Sequence, residues 1–150
     1  MAVRAPRALA APIGELPVGV SNQGTLRFMT LTKAIDAPTL IRFFQRLGRD
    51  AGQKVFVILD NLNVHNARAV RDWIAAHTDT IELFYLPSCA PELNPDEYLN
   101  GDFKVSVAKR VPTRDRDGLL RTARSRLRSL QRQPAKVRKF FHHPRVQYAA

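Results

Sequence analysis

The spacing of apolar residues changes several times along the chain, and each change predicts an element. KVFVILD (54–60) is apolar at almost every position and rich in β-branched residues. That pattern suits a strand buried on both faces, as in a parallel sheet. IELFYLP (81–87) is a second, shorter strand. Between them NARAVRDWIAAH (66–77) takes a helical period, with Val70, Trp73, Ile74 and His77 on one side. Strand, helix and strand in this order predict a βαβ unit with a right-handed crossover. Upstream, ELPVGVSNQGTLRFMTLT (15–32) reads as a hairpin, since Asn22 and Gly24 in SNQG suit a tight turn. APTLIRFFQRLGRDAG then turns helical. Leu40, Ile41, Phe44 and Leu47 form its stripe, Asp36 its N-cap, and Gly48 or Gly52 its stop.

Beyond the second strand, Pro87, Pro91 and Pro95 predict a rigid, irregular loop. Asn94-Pro95-Asp96-Glu97 reads as a helix start, with Asn94 as cap, Pro95 at N1 and Glu97 reaching back in a capping box. The helix is expected to run to about Arg110 on Leu99, Phe103 and Val107, until VPTRDRDG breaks it. A last long helix begins near Asp117. Leu119, Leu120, Ala123, Leu127 and Leu130 share its apolar face, and Arg121, Arg124, Arg128 and Arg132 run along the opposite one.

Composition sharpens this picture. The 150 residues are 45% hydrophobic, which predicts a globular chain of one domain. No apolar run approaches the roughly 18 residues of a membrane span. MAVRAPRALAAPIG is basic, alanine-rich and broken by prolines, so it reads as a tail or truncation edge and not as a signal peptide. Cys89 is the single cysteine, which rules out an intrachain disulfide and a cysteine-based zinc site and fits a reducing cytoplasm. The net charge of +11 is uneven. Residues 1–103 carry 10 Lys/Arg and 11 Asp/Glu, whereas residues 104–150 carry 14 and 2. A basic block of this density suggests a polyanion, most often nucleic acid; a solvated helical surface or a membrane-surface contact is the plainer alternative.

Two carboxylates stand out by position. Asp60 ends a buried strand, and ligands of open α/β sheets bind beyond the carboxyl ends of strands; an Asp-Asn turn would also account for it. Glu97 opens the helix after the next strand, where a capping box explains it equally well. Asp96 suits a first-turn charge at the same helix. Taken as a pair, both acids can face one sheet edge. Mg²⁺ takes one or two carboxylates together with phosphate and water.

VILDNLNVHNARAVRDWI followed by ELFYLPSCAPELNPDEYLNGDFK resembles the DDE (Asp-Asp-Glu) endonuclease domain of bacterial insertion-sequence transposases in the Tc/mariner superfamily. In that family the second Asp ends a strand, is followed by Asn or Gly, and has a His shortly after; the Glu sits in Pro-Glu-Leu-Asn-Pro-x-Glu. Here these fall on Asp60, Asn61, His65 and Pro91 to Glu97, with 36 residues between the two acids. The likeness spans roughly 15–148 and is strongest over 55–104. It implies a ribonuclease-H-like α/β fold, a mixed sheet flanked by helices. It also implies Mg²⁺ or Mn²⁺ at Asp60 and Glu97 and two-metal phosphoryl transfer in DNA strand cleavage and strand transfer. DNA, as transposon ends and target, would be the partner, with no membrane. His65, Lys104, Arg121, Arg124 and Arg128 are the candidate DNA contacts, although a lone His after a strand is more often structural. His142 and His143 are expected as surface residues.

The family's first Asp lies on a first strand, before the hairpin. Residues 1–14 contain no Asp or Glu, and Asp36 and Asp50 flank the wrong element. The sheet is therefore expected to lack its first strand. The expected layout is a tail over 1–14, a partial catalytic core over 15–112 and a basic C-terminal helical extension over 113–150. The resemblance thus implies the C-terminal part of a transposase, bacterial, cytoplasmic and nucleoid-associated. That part is incomplete alone and completed by a missing N-terminal portion or a second copy. The rival readings are a non-catalytic nucleic-acid-binding module and a regulatory or assembly fragment.

Overall fold

In the computed structural model, residues 6–9, 17–31, 35–59, 67–87, 91–93, 98, 99, 101 and 116–149 are described. Five strands form one sheet: β1 (Pro6–Leu9), β2 (Val18–Ser21), β3 (Leu26–Phe28), β4 (Val55–Leu59) and β5 (Ile81–Tyr85), in the order β3-β2-β1-β4-β5. β1 pairs antiparallel with β2 and parallel with β4, β2 pairs antiparallel with β3, and β4 pairs parallel with β5. β1, β3, β4 and β5 therefore run the same way, and their carboxyl ends share one rim. The described helices are α1 (Ala37–Ala51), α2 (Arg68–Ala75), α3 (Arg116–Gln131) and α4 (Pro134–Lys139), with short 3₁₀ turns at Pro91–Leu93 and Pro144–Ala149.

β1 corrects the sequence-based expectation of a sheet without its first strand and of a tail throughout 1–14. Residues 6–9 fill the central position, with Arg7 opposite Ser21 of β2 and Val57 of β4. Without them both neighbours would present open rows of N–H and C=O groups. Pro6 stands at the first residue of the strand, where a missing N–H is tolerated in a sheet. The demand for a strand comes from β2 and β4, not from β-propensity in PRAL.

Helices cover both faces. On one, Phe43, Phe44, Leu40 and Leu47 of α1 and Val70 of α2 pack on Val55, Val57, Leu59 and Ile81. Complete burial of side chains of this size stabilises by about 1.5–3 kcal/mol each. Asp36 caps α1 as predicted, its Oδ1 accepting from the Thr39 N–H at 2.9 Å, and Gly52 closes the helix at φ 63°. The stripe is turned slightly from the predicted one: Phe43 is fully buried, while Ile41 is half-buried. His77 holds the end of α2, donating from Nδ1 to the Trp73 carbonyl at 2.7 Å with its ring stacked on the indole.

On the other face Ala123, Leu127 and Leu130 of α3, with Val137 and Phe141, pack on Val18, Val20, Leu26 and Ile58. β4 is thus buried from both sides at its carboxyl end, as its apolar run predicts. Gly24 ties the hairpin to this layer. Its φ of 89° belongs to the left-handed region, and an added Cβ would lie 2.5 Å from the Pro134 carbonyl oxygen. Of the helix expected to run to Arg110, Tyr98, Leu99 and Gly101 are helical and Leu99 is fully buried; Phe103 and Val107 lie outside the described residues.

Candidate functional site

Asp60, His65, Glu97 and Lys104 lie outside the described residues. What the structure describes is the frame to which the two carboxylates are attached. Leu59, immediately before Asp60, is fully buried, and its carbonyl accepts from the Leu86 N–H at 2.8 Å, which extends the β4–β5 pairing by one step. β4, with a strand on each side, therefore ends at Leu59, at the rim where strand ends meet. Position 97 is bracketed in the same way. Leu93 and Tyr98 stand on either side of it, and Leu99 is anchored in the core.

The anchoring of Leu93 and Tyr98 comes from the C-terminal segment, a contribution that sequence reasoning missed. The Tyr148 hydroxyl donates to the Leu93 carbonyl at 2.6 Å. Tyr98 and His143 stack at 4.7 Å between ring centroids and share a hydrogen bond of 2.9 Å between the Tyr98 hydroxyl and His143 Nδ1. The Tyr98 hydroxyl also lies 3.2 Å from the Glu92 carbonyl oxygen, and Arg145 stands 3.9 Å from the Glu92 carboxylate. Residues 143–148 thus form a strap that holds Glu92, Leu93 and Tyr98. His143, expected as a plain surface residue, is part of that strap. These partners lie 45 and 55 residues apart in sequence, so no local periodicity signals them.

A hard divalent cation calls for carboxylate oxygens. Asp60 and Glu97 are such donors by type. β1, the strand beside β4, reads PRAL and adds none. This donor set fits one ion completed by water and phosphate, and falls short of the ligands that two ions would need. Among the described residues no three His, Cys, Asp or Glu side chains come together as a further metal site. Near the same rim, burial raises the Tyr85 phenol above its ordinary value, with the Arg71 guanidinium opposing the shift.

The arginine stripe forms as predicted. Arg121, Arg124 and Arg128 are exposed on α3, with Ala123, Leu127 and Leu130 turned inward. The structure separates them, however. Arg124 and Arg128 line a cleft together with Arg42 and Arg46 of α1, and Arg121 is not part of its lining. Sequence reasoning overlooked Arg42 and Arg46. The signal was present, because the period that turns Leu40, Phe44 and Leu47 inward turns these two outward.

A family profile described as DDE superfamily endonuclease matches residues 15–120. The chain belongs to the DDE superfamily endonucleases. Its fold agrees with solved structures of low sequence identity. The Mos1 transposase catalytic domain, solved with raltegravir and manganese, is 15% identical, with a TM-score of 0.60 over 91% of this chain and 78% of that one. The same domain with raltegravir and magnesium gives 15% and 0.58, over 92% and 78%. A simian T-cell lymphotropic virus intasome in complex with the PP2A regulatory subunit B56 gamma gives 14% and 0.58, over 78% and 45%. These likenesses establish a transposase catalytic-domain fold of the ribonuclease-H-like kind. No curated protein matches the chain by sequence. No described helix is long and apolar enough to cross a membrane.

Proposed function

We propose that this chain is the metal-holding catalytic domain of a DNA transposase, in which Asp60 and Glu97 ligate Mg²⁺ or Mn²⁺. The observation that carries the reading is the join between the family match and β4. β4 is flanked by a strand on each side and ends at Leu59, the residue before Asp60 in sequence, which supports the reading. Mos1 structures with manganese and with magnesium support divalent-ion use by analogy. Bound there, the ion would act as a Lewis acid that polarises a phosphodiester oxygen.

The chain's own residues supply the rest. The strap from His143 to Tyr148 holds Leu93 and Tyr98, the nearest described residues on either side of Glu97 in sequence. Exposed arginines hold the DNA backbone by charge. His65, Lys104 and Arg121 belong to the same proposed DNA surface, with transposon ends and target DNA as partners. Because β1 brings no carboxylate, DNA cleavage and strand transfer await a third acid from another chain or segment. The test is a nicking assay on supercoiled plasmid with the 150-residue chain in Mn²⁺. No nicking is expected from this chain alone. Nicking that disappears with Asp60→Ala or Glu97→Ala would overturn the requirement for a third acid.

A further inference from the structure

At the carboxyl end of β3 the two helical layers come within reach of each other around the edge of the sheet. A cleft of about 560 Å³ opens there. Arg42 and Arg46 line it from α1 and Arg124 and Arg128 line it from α3, with Phe28 to Leu31 as its floor and no acidic residue in its lining. All four arginines are exposed, and none has an ion-pair partner among the described residues. Each helix sets its two guanidiniums four residues apart. Like charges at that spacing are mutually destabilising in a helix. Two such pairs facing one cleft make a concentration of positive charge that packing does not require. The surrounding structure is fixed. Gln131 donates from Nε2 to the Leu26 carbonyl at 3.0 Å, and Arg138 reaches the Gln23 carbonyl at 3.3 Å.

We propose that this cleft is a seat for the sugar–phosphate backbone of duplex DNA, shared between α1 and α3. The proposal rests on the reading of the β4 rim as the place where DNA is acted on. β3 and β4 are three strand spacings apart, about 14 Å. At 3.4 Å of rise per nucleotide, that distance covers roughly four phosphates of one DNA strand. The seat therefore grips the flank of the duplex and not the reacting bond. Guanidinium forks suit phosphate oxygens, and the apolar floor accommodates the arginine stems. Contacts of this kind carry charge recognition without base readout.

The test is binding of a random-sequence 20-base-pair duplex by fluorescence anisotropy over a range of KCl, without divalent metal. Replacing Arg42 and Arg46 together by alanine should flatten the salt slope by about 1.8, two phosphate contacts, and weaken binding about tenfold near 100 mM salt. Arg124→Ala with Arg128→Ala should do the same. Arg49→Ala with Lys54→Ala removes equal charge at the amino end of β4, outside the cleft, and should leave the slope nearly unchanged. If the alanine pair fails to fold, Arg42→Gln with Arg46→Gln keeps the helix propensity and gives the same reading. Equal effects from the Arg42/Arg46 pair and the Arg49/Lys54 pair would overturn the seat while leaving the DNA-directed reading standing. A wild-type chain with no salt-dependent binding would overturn both.

Discussion

The two edges of the sheet treat charge differently. At the β5 edge, charges are paired. Lys54 Nζ lies 2.8 Å from Glu82 and 5.4 Å from the centroid of the Phe56 ring, and on neighbouring α2 Arg68 pairs with Asp72 at 3.6 Å. At the β3 edge Arg27 pairs with Asp50 at 3.4 Å, but at the carboxyl end of that strand four arginines converge on a cleft with no acidic residue in its described lining. Both edges lie on one folded sheet, so the fold can be built either way. Paired charges serve the chain itself. Converging, unpaired ones cost stability, and the proposed DNA backbone would neutralise them. The β3 edge is also the one braced from outside by Gly24, Gln131 and Arg138, so its arginines stand on a rigid support.

Removing that support gives the largest expected effects. Phe44 is completely buried beneath α1 and stacks with Trp73 at 6.3 Å between ring centroids. Phe44→Ala should cost about 3–5 kcal/mol in urea unfolding. Phe84, on the β5 edge, is 39% exposed, and Phe84→Ala should cost less than about 1.5 kcal/mol. Gly24→Ala meets both a left-handed φ and the Pro134 backbone, and should cost about 2–3 kcal/mol. If the bracing matters, that variant should also flatten the salt slope of DNA binding. Tyr148→Phe removes one hydrogen bond of the strap and should cost about 1 kcal/mol.

The smallest effects separate the edges most sharply, because their signs differ. Lys54→Ala breaks a surface ion pair and should lower stability by about 0.5 kcal/mol. Arg42→Ala relieves like-charge repulsion at an exposed helical site and should raise stability by about 0.3 kcal/mol. Low-salt urea titrations of the two variants provide the comparison, since screening shrinks both terms. Effects of the same sign would remove the contrast between compensated and uncompensated charge.

The elements legible in the sequence are those with a local cause. β4 and β5 follow from their apolar runs, α1 from its stripe and its Asp36 and Gly52 ends, the hairpin from SNQG, and α3 from alternating leucine and arginine faces. β1 was not legible, because PRAL becomes a strand only in the gap that β2 and β4 create. The strap was hidden for a related reason, since Tyr98, His143 and Tyr148 meet only after folding. Asp60 and Glu97 stand out in the sequence only as a motif, through the strand run before Asp60 and the Pro-Glu-Leu-Asn-Pro-Asp-Glu segment, and both lie outside the described residues. The Arg42 and Arg46 half of the basic cleft was obscured by the near-balance of charge over residues 1–103, which says nothing about where acids and bases lie in space.

The central claim is that Asp60 and Glu97 together hold a divalent ion. Calorimetric titration of the folded chain with Mn²⁺, without DNA, tests it most directly. One site is expected in the wild-type chain. Asp60→Asn and Glu97→Gln should each weaken it at least about tenfold, the equivalent of about 1.4 kcal/mol. Asp96→Asn should leave it unchanged. Wild-type and Asp60→Asn/Glu97→Gln chains that bind Mn²⁺ equally, or a wild-type chain that binds none, would contradict the account.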